Sequence, residues 1–421
     1  MKILMLFSYA PLPPPLDLGG SKRNRPFLLE LLKHHEVSVL SYGSPEDEKM
    51  FRSSVGNRCK HIVFVDRRRP RIINGIQQYW LLLTGRSHFR QIYRKEMQRA
   101  LDDLLARERF DIIHCVTQFF GYFRFPKDIP VVSDSHEVNY DLIYRTFKKT
   151  RNLYAKLVSY RMYTLGKPEE IRVCKTFDAL IATTERDRNV FKEVLPDQQV
   201  FAINNGVDPA FLEPQSVQPE PHTMVFTGKM DFYPNKHGIM FFLDEIFPRI
   251  LQRVPDARVY VVGIHPSKEL LRRASENVIV TGFVDDVRPY MAKGDVYIIP
   301  LWIGGGIRGK ALEAMAMRRP IVTTTIGCES IQLKHEESAL FADSAEDFAS
   351  AVIRLFNDQK LRQNLAQRAH ANVLQYYDWE KQGEALNRVF EMFVSGKNGH
   401  APFTTRSART TLPPFSTHRT I

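Results

Sequence analysis

A glycine-rich loop followed by two basic residues is the part of this sequence best suited to hold a ligand. The stretch IIPLWIGGGIRGKALEAMAMRRPIV predicts a strand, a loop containing Gly304, Gly305 and Gly306, a helix and a further strand. Arg308 and Lys310 fall in the first turn of the predicted helix. A cation there opposes the helix dipole and is destabilising unless an anion lies nearby. The pattern therefore predicts an anion-binding loop.

One carboxylate belongs to the same predicted helix. Glu313 follows Lys310 by about one helical turn, so it could accept hydrogen bonds from ligand hydroxyl groups near the helix start. The alternative is a glycine loop used only for packing, with Glu313 solvated.

Two lysines follow a predicted strand in the second half of the chain. In FTGKMDFYPNKHG, Gly228 ends the strand, and Lys229 and Lys236 lie on either side of a turn. Two cations at a strand end could clamp a diphosphate and stabilise a leaving group as charge develops. Each could instead be a solvated surface charge. Phe283 ends a later strand, where backbone groups could contact a nucleobase edge.

In the first half, His136 lies within VVSDSHEVNY, after the carboxyl end of a predicted strand, where open α/β sheets bind ligands. A neutral imidazole there could donate a hydrogen bond to a sugar hydroxyl. The alternatives are a surface histidine, or a helix cap by Asp134 or Ser135. Gly19 and Gly20 lie between the first predicted strand and helix, which suits a diphosphate. The absence of GxGxxG argues against a dinucleotide site, and a plain turn is the alternative.

These candidates require a framework of parallel strands. Short apolar, β-branched runs alternate with helix-length segments in both halves of the 421-residue chain. The first half contains KILMLFSY, VSVLSY, HIVFVD, DIIHCV, IPVVSD, DALIATT and VFAIN; the second contains HTMVFTG, ARVYVVG, VIVTGF, DVYIIP and PIVTTT. Runs of this kind indicate parallel strands covered on both faces. The chain is predicted to be an α/β protein with two doubly wound, Rossmann-like sheets.

The expected domain boundaries follow from composition. Phe211–His222 is rich in Pro and Gln and reads as a linker, which places the first domain at 1–212 and the second at 213–378. Residues 379–396 form a last amphipathic helix. The tail 397–421 lacks apolar periodicity and is predicted to be disordered.

Composition narrows the class of protein. Hydrophobic residues make up 43% and charged residues 25%, as in ordinary soluble proteins. The four cysteines lie far apart, which predicts free buried thiols in a reducing compartment. No apolar run approaches the roughly 20 residues that span a bilayer, and the N-terminus has no signal-cleavage pattern. The expected location is the cytoplasm.

Positive charge is concentrated in the first half. Residues 51–100 hold 12 Lys and Arg against 2 Asp and Glu. Residues 67–99 mix Arg and Lys with aromatic and leucine residues, so they could contact an anionic membrane peripherally, and Lys148–Leu165 could add to that surface. A solvated basic face or an acidic polysaccharide partner are the alternatives. Nucleic acid is not expected, because the charge is confined and no recognition motif is present.

Taken in chain order, these motifs resemble the retaining GT-B glycosyltransferases of the large family-four type. The resemblance covers Lys2 to about Val394 and rests on the first glycine loop, His136, the GVD at Gly206–Asp208 and PLWIGGGIRGKALEAMAMRRPIV. The second half looks most like a bacterial subgroup of sugar transferases encoded with exopolysaccharide systems. The resemblance implies two Rossmann-like domains facing a cleft, with a C-terminal helix that crosses back to the first domain.

The resemblance also implies roles for the candidate residues. Lys229 and Lys236 take the places of the family's Arg/Lys pair on the donor diphosphate, and His136 that of a histidine near the transferred sugar. Glu313 matches the second glutamate of the family's E-x7-E motif, on the ribose. The first glutamate would fall at Gly305 and is missing.

Arg308 and Lys310 could compensate for that loss at the phosphates. The first domain would be the acceptor side and the second the nucleotide-sugar-binding side.

The implied activity is sugar transfer, hexosyltransferase-like and with retention, from a nucleotide sugar to a lipid-linked or saccharide acceptor in polysaccharide or glycolipid biosynthesis. No cofactor is expected, and no metal, because the sequence has no DxD and no cluster at metal-ligand spacing. Two alternatives remain open: a catalytically silent GT-B scaffold of a polysaccharide assembly system, and a GT-B nucleotide-sugar epimerase.

Overall fold

The chain divides into two compact units. The computed structural model describes residues 1–13, 21–66, 90, 92–150, 152–304 and 306–395. The first unit contains the described parts of Met1–Ile203 and Gly383–Ile421, and the second contains those of Asn204–Gln382.

The first unit is built on a parallel sheet. Within its described residues, seven strands lie in the order β3-β2-β1-β4-β5-β6-β7. The strands are β1 (Lys2–Phe7), β2 (Glu36–Tyr42), β3 (Ile62–Val65), β4 (Ile112–Val116), β5 (Val131–Ser135), β6 (Ala179–Ala182) and β7 (Gln199–Ala202). Strands β4, β5 and β6 are buried along their whole length, as expected for a sheet covered on both faces. Each strand coincides with a predicted apolar run.

Helices connect these strands. They are α1 (Ser21–Leu31), α2 (Pro45–Val55), α3 (Lys95–Arg107), α4 (Asn139–Lys149), α5 (Leu153–Cys174) and α6 (Glu185–Val194). Helix α2 begins with a capping box, in which Ser44 and Asp47 bond each other's backbone N–H groups. Helices α4 and α5 follow β5 as an antiparallel pair, in which Tyr144 packs against Tyr163 and Phe147 against Tyr160.

The second unit also has a parallel sheet, in the order β10-β9-β8-β11-β12-β13 for its described residues. The strands are β8 (Glu220–Thr227), β9 (Arg258–Val262), β10 (Val278–Gly282), β11 (Gly294–Ile299), β12 (Ile321–Thr323) and β13 (Leu340–Phe341). Strand β8 starts within the segment predicted as a linker, because Glu220 pairs with Gly294 and the His222 N–H donates to Asp295 at 3.0 Å. Strand β13 has two residues and was not predicted.

The helices of this unit lie between those strands and after them. They are α7 (Tyr233–Phe241), α8 (Phe247–Leu251), α9 (Lys268–Leu271), α10 (Arg288–Lys293), α11 (Gly309–Ala316), α12 (Ala345–Asn357) and α13 (Gln359–Tyr376). A π turn over Phe242–Ile246 separates α7 from α8. Pro248 follows it, and a residue without an N–H cannot continue the regular helical ladder.

The last helix, α14 (Trp379–Ser395), joins the two units. Its residues from Gly383 onward belong to the first unit. Four buried apolar side chains of this helix contribute to that unit: Leu386, Val389, Phe390 and Phe393. The prediction that the final helix returns to the first domain is confirmed. The predicted disordered tail, 397–421, lies outside the described residues.

Two predictions about buried and membrane-spanning residues can be compared with the structure. All four cysteines are buried and free, which confirms the expectation of unpaired thiols: Cys59, Cys115, Cys174 and Cys328. In the described ranges, no helix has both the length and the apolar character needed to cross a membrane.

Candidate active site

The carboxyl ends of the second unit's parallel strands meet at one edge of its sheet, where tight glycine turns bring two strands close together. Gly228 follows β8 with a φ of 154°, and Gly263 follows β9 with a φ of 146°. A Cβ on Gly263 would lie 1.8 Å from the carbonyl oxygen of Gly228. Only glycine fits at this contact, which exposes backbone at the edge where such sheets bind ligands.

Lys310 is held at this edge by partners from two other segments. Its ammonium donates to Asn235 Oδ1 at 2.8 Å and lies 4.0 Å from the centre of the Phe226 ring. Asn235 Nδ2 donates to the carbonyl oxygen of Lys229 at 2.9 Å. A Cβ on Gly228 would lie 2.8 Å from Lys310 Nζ. The structure therefore brings Gly228, Lys310 and the Lys229 backbone together.

The glycine loop approaches the arginine that precedes α11. The sequence predicts Arg308 in the first turn of this helix. In the structure α11 begins at Gly309, so Arg308 lies just before the helix. Gly304 has a φ of 138°, and a Cβ there would lie 2.3 Å from Arg308 Nη2. Arg308 Nη1 donates to the carbonyl oxygen of Gly306 at 3.5 Å. Gly305 lies outside the described residues.

The side chains of Lys229 and Lys236 point to separate carboxylates. Lys229 Nζ lies 3.6 Å from Asp231, and Lys236 Nζ lies 3.5 Å from Glu269. Both lysines are more than two-fifths exposed. Exposed ion pairs contribute little, so either ammonium can exchange its carboxylate for a ligand phosphate at low cost.

Glu313 is buried, whereas Phe283 is exposed to solvent. Glu313 is 9% exposed, so the alternative that it is solvated is wrong. Burial, with a contribution from the Glu313 carboxylate, raises the pKa of Tyr297. Phe283 is 59% exposed after β10, and Phe232 and Tyr233 are also exposed aromatics that follow β8.

In the first unit, His136 follows the carboxyl end of β5. Its backbone carbonyl accepts a hydrogen bond from Thr183 Oγ1 at 3.1 Å. Its Nε2 atom is buried and makes no hydrogen bond within the described residues. The pKa of His136 is lowered to about 4, mainly by burial; the Asp134 carboxylate opposes this shift and the Arg23 guanidinium adds to it. The imidazole is neutral at pH 7.

Asp134 forms a buried ion pair that sequence reasoning missed. Arg23 Nε, from α1, donates to both carboxylate oxygens of Asp134, at 3.1 and 2.9 Å. Both side chains are almost fully buried. Asp134 is therefore paired with α1 and does not cap a helix. An acidic residue in the middle of an apolar strand was the available signal, but its partner lies 111 positions away.

Glu170 is a second missed residue, and it fixes the start of α4 next to His136. Its buried carboxylate accepts hydrogen bonds from the backbone N–H groups of Asn139 at 3.0 Å and Tyr140 at 2.9 Å. It also accepts from Gln118 Nε2 at 2.8 Å. Burial raises the pKa of Glu170, although these hydrogen bonds oppose the shift. The chain segment that carries His136 is thus anchored at both ends.

Gly19 and Gly20 lie outside the described residues. Over the part of the chain that the structure describes, no three His, Cys, Asp or Glu side chains are grouped so that they could hold a metal ion.

Comparison with known proteins identifies the class. Residues 25–211 match the family model described as Glycosyltransferase Family 4, and residues 221–358 match the model described as Glycosyl transferases group 1. Sucrose-phosphate synthase from Thermosynechococcus elongatus superposes with a TM-score of 0.68 at 14% identity, covering 94% of this chain and all of that one. The structure of Anabaena HepE in complex with UDP-glucose superposes with a TM-score of 0.65 at 14% identity, covering 93% of this chain and all of that one.

Sequence relatives agree with this class. An uncharacterized glycosyltransferase of Methanocaldococcus jannaschii is 23% identical over 90% of this chain and 96% of its own length. A phosphatidyl-myo-inositol mannosyltransferase of Mycolicibacterium smegmatis is 31% identical over 51% of this chain and 57% of its own. The chain is a glycosyltransferase with the GT-B fold. More particularly, it is of the family-four type, with a group 1 domain following the family-four domain.

Proposed function

We propose that this glycosyltransferase moves a hexosyl group, with retention, from a nucleotide sugar to a lipid-linked or saccharide acceptor in the biosynthesis of exopolysaccharide, another polysaccharide or a glycolipid. The observation that carries the proposal is the tethered Lys310 ammonium at the carboxyl end of β8. Together with the glycine loop and the start of α11, it forms a site suited to a diphosphate. The HepE complexes with UDP and UDP-glucose support a nucleotide-sugar donor.

The donor site would belong to the second domain, residues 213–378. Lys310 and Arg308 would bind the phosphates, and Lys229 and Lys236 would give up their surface carboxylates to join them. Glu313 would accept hydrogen bonds from the ribose, and Phe283 would lie against the base. A further set of residues would bring backbone close to the donor: Gly19, Gly20, Gly228, Gly305 and Gly306.

The reaction would depend on stabilising the departing diphosphate. The bond between the sugar's anomeric carbon and the phosphate oxygen breaks, and the electron pair stays on that oxygen. The acceptor hydroxyl attacks the same face and passes its proton to the leaving phosphate. Neutral His136, in the acceptor-side domain (residues 1–212), would donate a hydrogen bond to the transferred sugar. No metal and no other cofactor takes part in this scheme.

If the acceptor is the lipid-linked one, it would be presented at a membrane. The mannosyltransferase relative, whose name gives a phosphatidyl-myo-inositol acceptor, supports this class. The protein would work in the cytoplasm, peripherally on the inner face of the cell membrane, with residues 67–99 in contact with anionic lipid. Most of that segment, 67–89 and Gln91, lies outside the described residues.

Thermal unfolding with UDP, GDP and ADP tests the donor site. A nucleotide at about 100 times its Kd should stabilise the wild type by roughly 2.7 kcal/mol. Lys310→Met and Glu313→Gln should lose most of that shift. Lys334→Met is the matched control, because Lys334 is an exposed lysine of the same unit, and it should keep the shift.

Product analysis tests the reaction. NMR of the glycoside formed from the stabilising nucleotide's sugar conjugate should show the donor's anomeric configuration. A folded wild type that no nucleotide stabilises would support the silent scaffold instead. Interconversion of nucleotide sugars without an acceptor would support the epimerase.

A further inference from the structure

The start of α5 exposes an apolar face that no described residue of its own unit covers. Four large side chains here are exposed by about half or more: Leu153 (82%), Tyr154 (69%), Leu157 (66%) and Tyr160 (49%). Single exposed apolar residues are common on protein surfaces, but four within two helical turns form a patch that requires an explanation.

The patch is one continuous stripe on a rigid support. Leu153, Leu157 and Tyr160 are spaced by four and three residues, so they fall on one side of α5, with Tyr154 beside them. Helix α4 packs against α5 beside the stripe: the Tyr144 and Tyr163 rings lie 4.9 Å apart, and the Phe147 ring lies 5.3 Å from that of Tyr160, at the edge of the stripe.

The stretch of chain that carries this patch has charges of one sign. The sequence from Leu142 to Pro168 contains seven Lys and Arg and no Asp or Glu. Lys148 Nζ lies 4.6 Å from the Tyr144 ring, and Lys156 Nζ lies 5.5 Å from the Phe147 ring. Their ammonium groups are thus held over aromatic rings beside the apolar stripe. This combination is typical of surfaces that lie in the headgroup region of an anionic bilayer.

We propose that this face of α5, flanked by the basic residues of α4 and α5, docks the protein onto an anionic lipid bilayer. The leucine and tyrosine side chains enter the interfacial region, and the lysines contact lipid phosphates. A protein partner would need an apolar groove with an acidic rim. An anionic bilayer offers negatively charged headgroups above an apolar interior over its whole surface. This face belongs to a different segment of the chain from residues 67–99.

The position of this face in the chain connects it to the candidate active site. His136 is followed by α4, which spans eleven residues and therefore about 16 Å, and the exposed face begins after it. An acceptor anchored in the same bilayer would be presented within a short distance of His136. This last link rests on the proposed function, whereas the docking surface does not.

Vesicle sedimentation of the full chain tests the docking surface. The wild type should sediment with phosphatidylcholine vesicles that contain phosphatidylglycerol, and not with phosphatidylcholine alone. Leu153→Ser with Leu157→Ser should weaken partitioning at least about tenfold, because two apolar side chains are lost from the interface. Lys148→Glu with Lys156→Glu should weaken it similarly. Leu374→Ser, at a 45% exposed leucine of α13, should bind as the wild type does.

Three results would overturn the proposal: equal binding to neutral and anionic vesicles, wild-type binding by the double serine variant, or no vesicle binding at all. If light scattering showed a dimer that the serine variant dissociates, the face would be an interface between two copies. The UDP-induced thermal shift of the same variants is read independently. If vesicle binding is absent but UDP still raises the unfolding temperature, only the docking surface is contradicted. If UDP gives no thermal shift but vesicle binding is intact, only the proposed function is contradicted.

Discussion

At the scale of single residues, Lys310 shows why a lysine can remain beside an unfavourable helix end. Lys310 belongs to the first turn of α11, where the helix dipole disfavours a cation. The side-chain oxygen Oδ1 of Asn235 and the Phe226 ring face supply two compensating contacts. The ammonium therefore has a fixed position before any ligand arrives, which lowers the ordering cost of binding an anion.

His114 is a buried histidine of the first unit. His114 is 1% exposed in β4, and neither ring nitrogen makes a hydrogen bond within the described residues. Burial lowers its pKa to about 4, with Arg23 and His136 adding to this and Asp134 opposing it. The folded unit therefore accepts a proton here less readily than the unfolded chain does.

This difference predicts a pH dependence of stability. Between pH 6.5 and 4 the unfolded chain binds more protons at His114 than the folded chain, so the free energy of unfolding falls as the pH falls through this range. From pH 7 to pH 5 the loss should be about 2 kcal/mol. We expect urea unfolding at these two pH values to show that the free energy of unfolding of His114→Leu falls by about 2 kcal/mol less than that of the wild type. His34→Leu, at an exposed position of the same unit, is the control, and an identical loss in both variants would contradict the argument.

At the scale of elements, α4 begins against a buried carboxylate from another helix. Glu170 accepts from the first two N–H groups of α4, which a helix cannot satisfy internally. The negative charge also lies at the positive end of the helix dipole. Since His136 lies three residues before α4, the same contacts set the position of the imidazole.

Glu170→Gln should therefore affect both stability and function. An amide keeps the shape but loses the charge, and turns one acceptor into a donor facing backbone N–H groups. The expected loss is about 1–3 kcal/mol in the free energy of unfolding. If Glu170 positions His136, kcat should fall while the UDP-induced thermal shift is unchanged; a purely structural residue would leave kcat of the folded fraction as in the wild type. Glu193→Gln, at an exposed position of α6, is the control.

The sequence predicts the strands of both sheets well because each is a buried apolar run with helix-length spacing. Twelve runs were predicted, and each overlaps a strand. The exceptions have local causes. Strand β13 is two residues long and carries no detectable period. Glu220 and His222 look polar and loop-like, yet β8 includes them because Gly294 and Asp295 on β11 supply partners.

The site was less predictable than the sheets, because its contacts join distant segments. Lys310 and Asn235 are 75 positions apart, and Arg23 and Asp134 are 111 apart. A motif shows which residue types are available at a strand end, but it does not show which of them pair with one another. The sequence therefore predicted lysines for a diphosphate without predicting that Asn235 fixes one of them.

At the scale of the whole molecule, the final helix completes the core of the first unit. Phe390 is fully buried, and its ring meets the His114 ring edge-on with 5.3 Å between their centres. Phe390→Ala should destabilise the first unit by about 3–5 kcal/mol. Hydrogen exchange should show faster exchange in β1 and β4 and little change in β8 and β11. Met392→Ala, on the same helix at a 52% exposed position, should change neither, and equal effects of the two variants would contradict this role of α14.

The same helix has a consequence for the order in which the protein folds during synthesis. The first unit needs side chains from Leu386 to Phe393, whereas the second unit ends at Gln382. A ribosome therefore delivers all of the second unit before it delivers the last piece of the first. The first unit therefore cannot complete its core until the second unit has been synthesised. During that interval its sheet exposes the apolar surface that α14 later covers. We expect chaperones to bind the nascent chain at this stage.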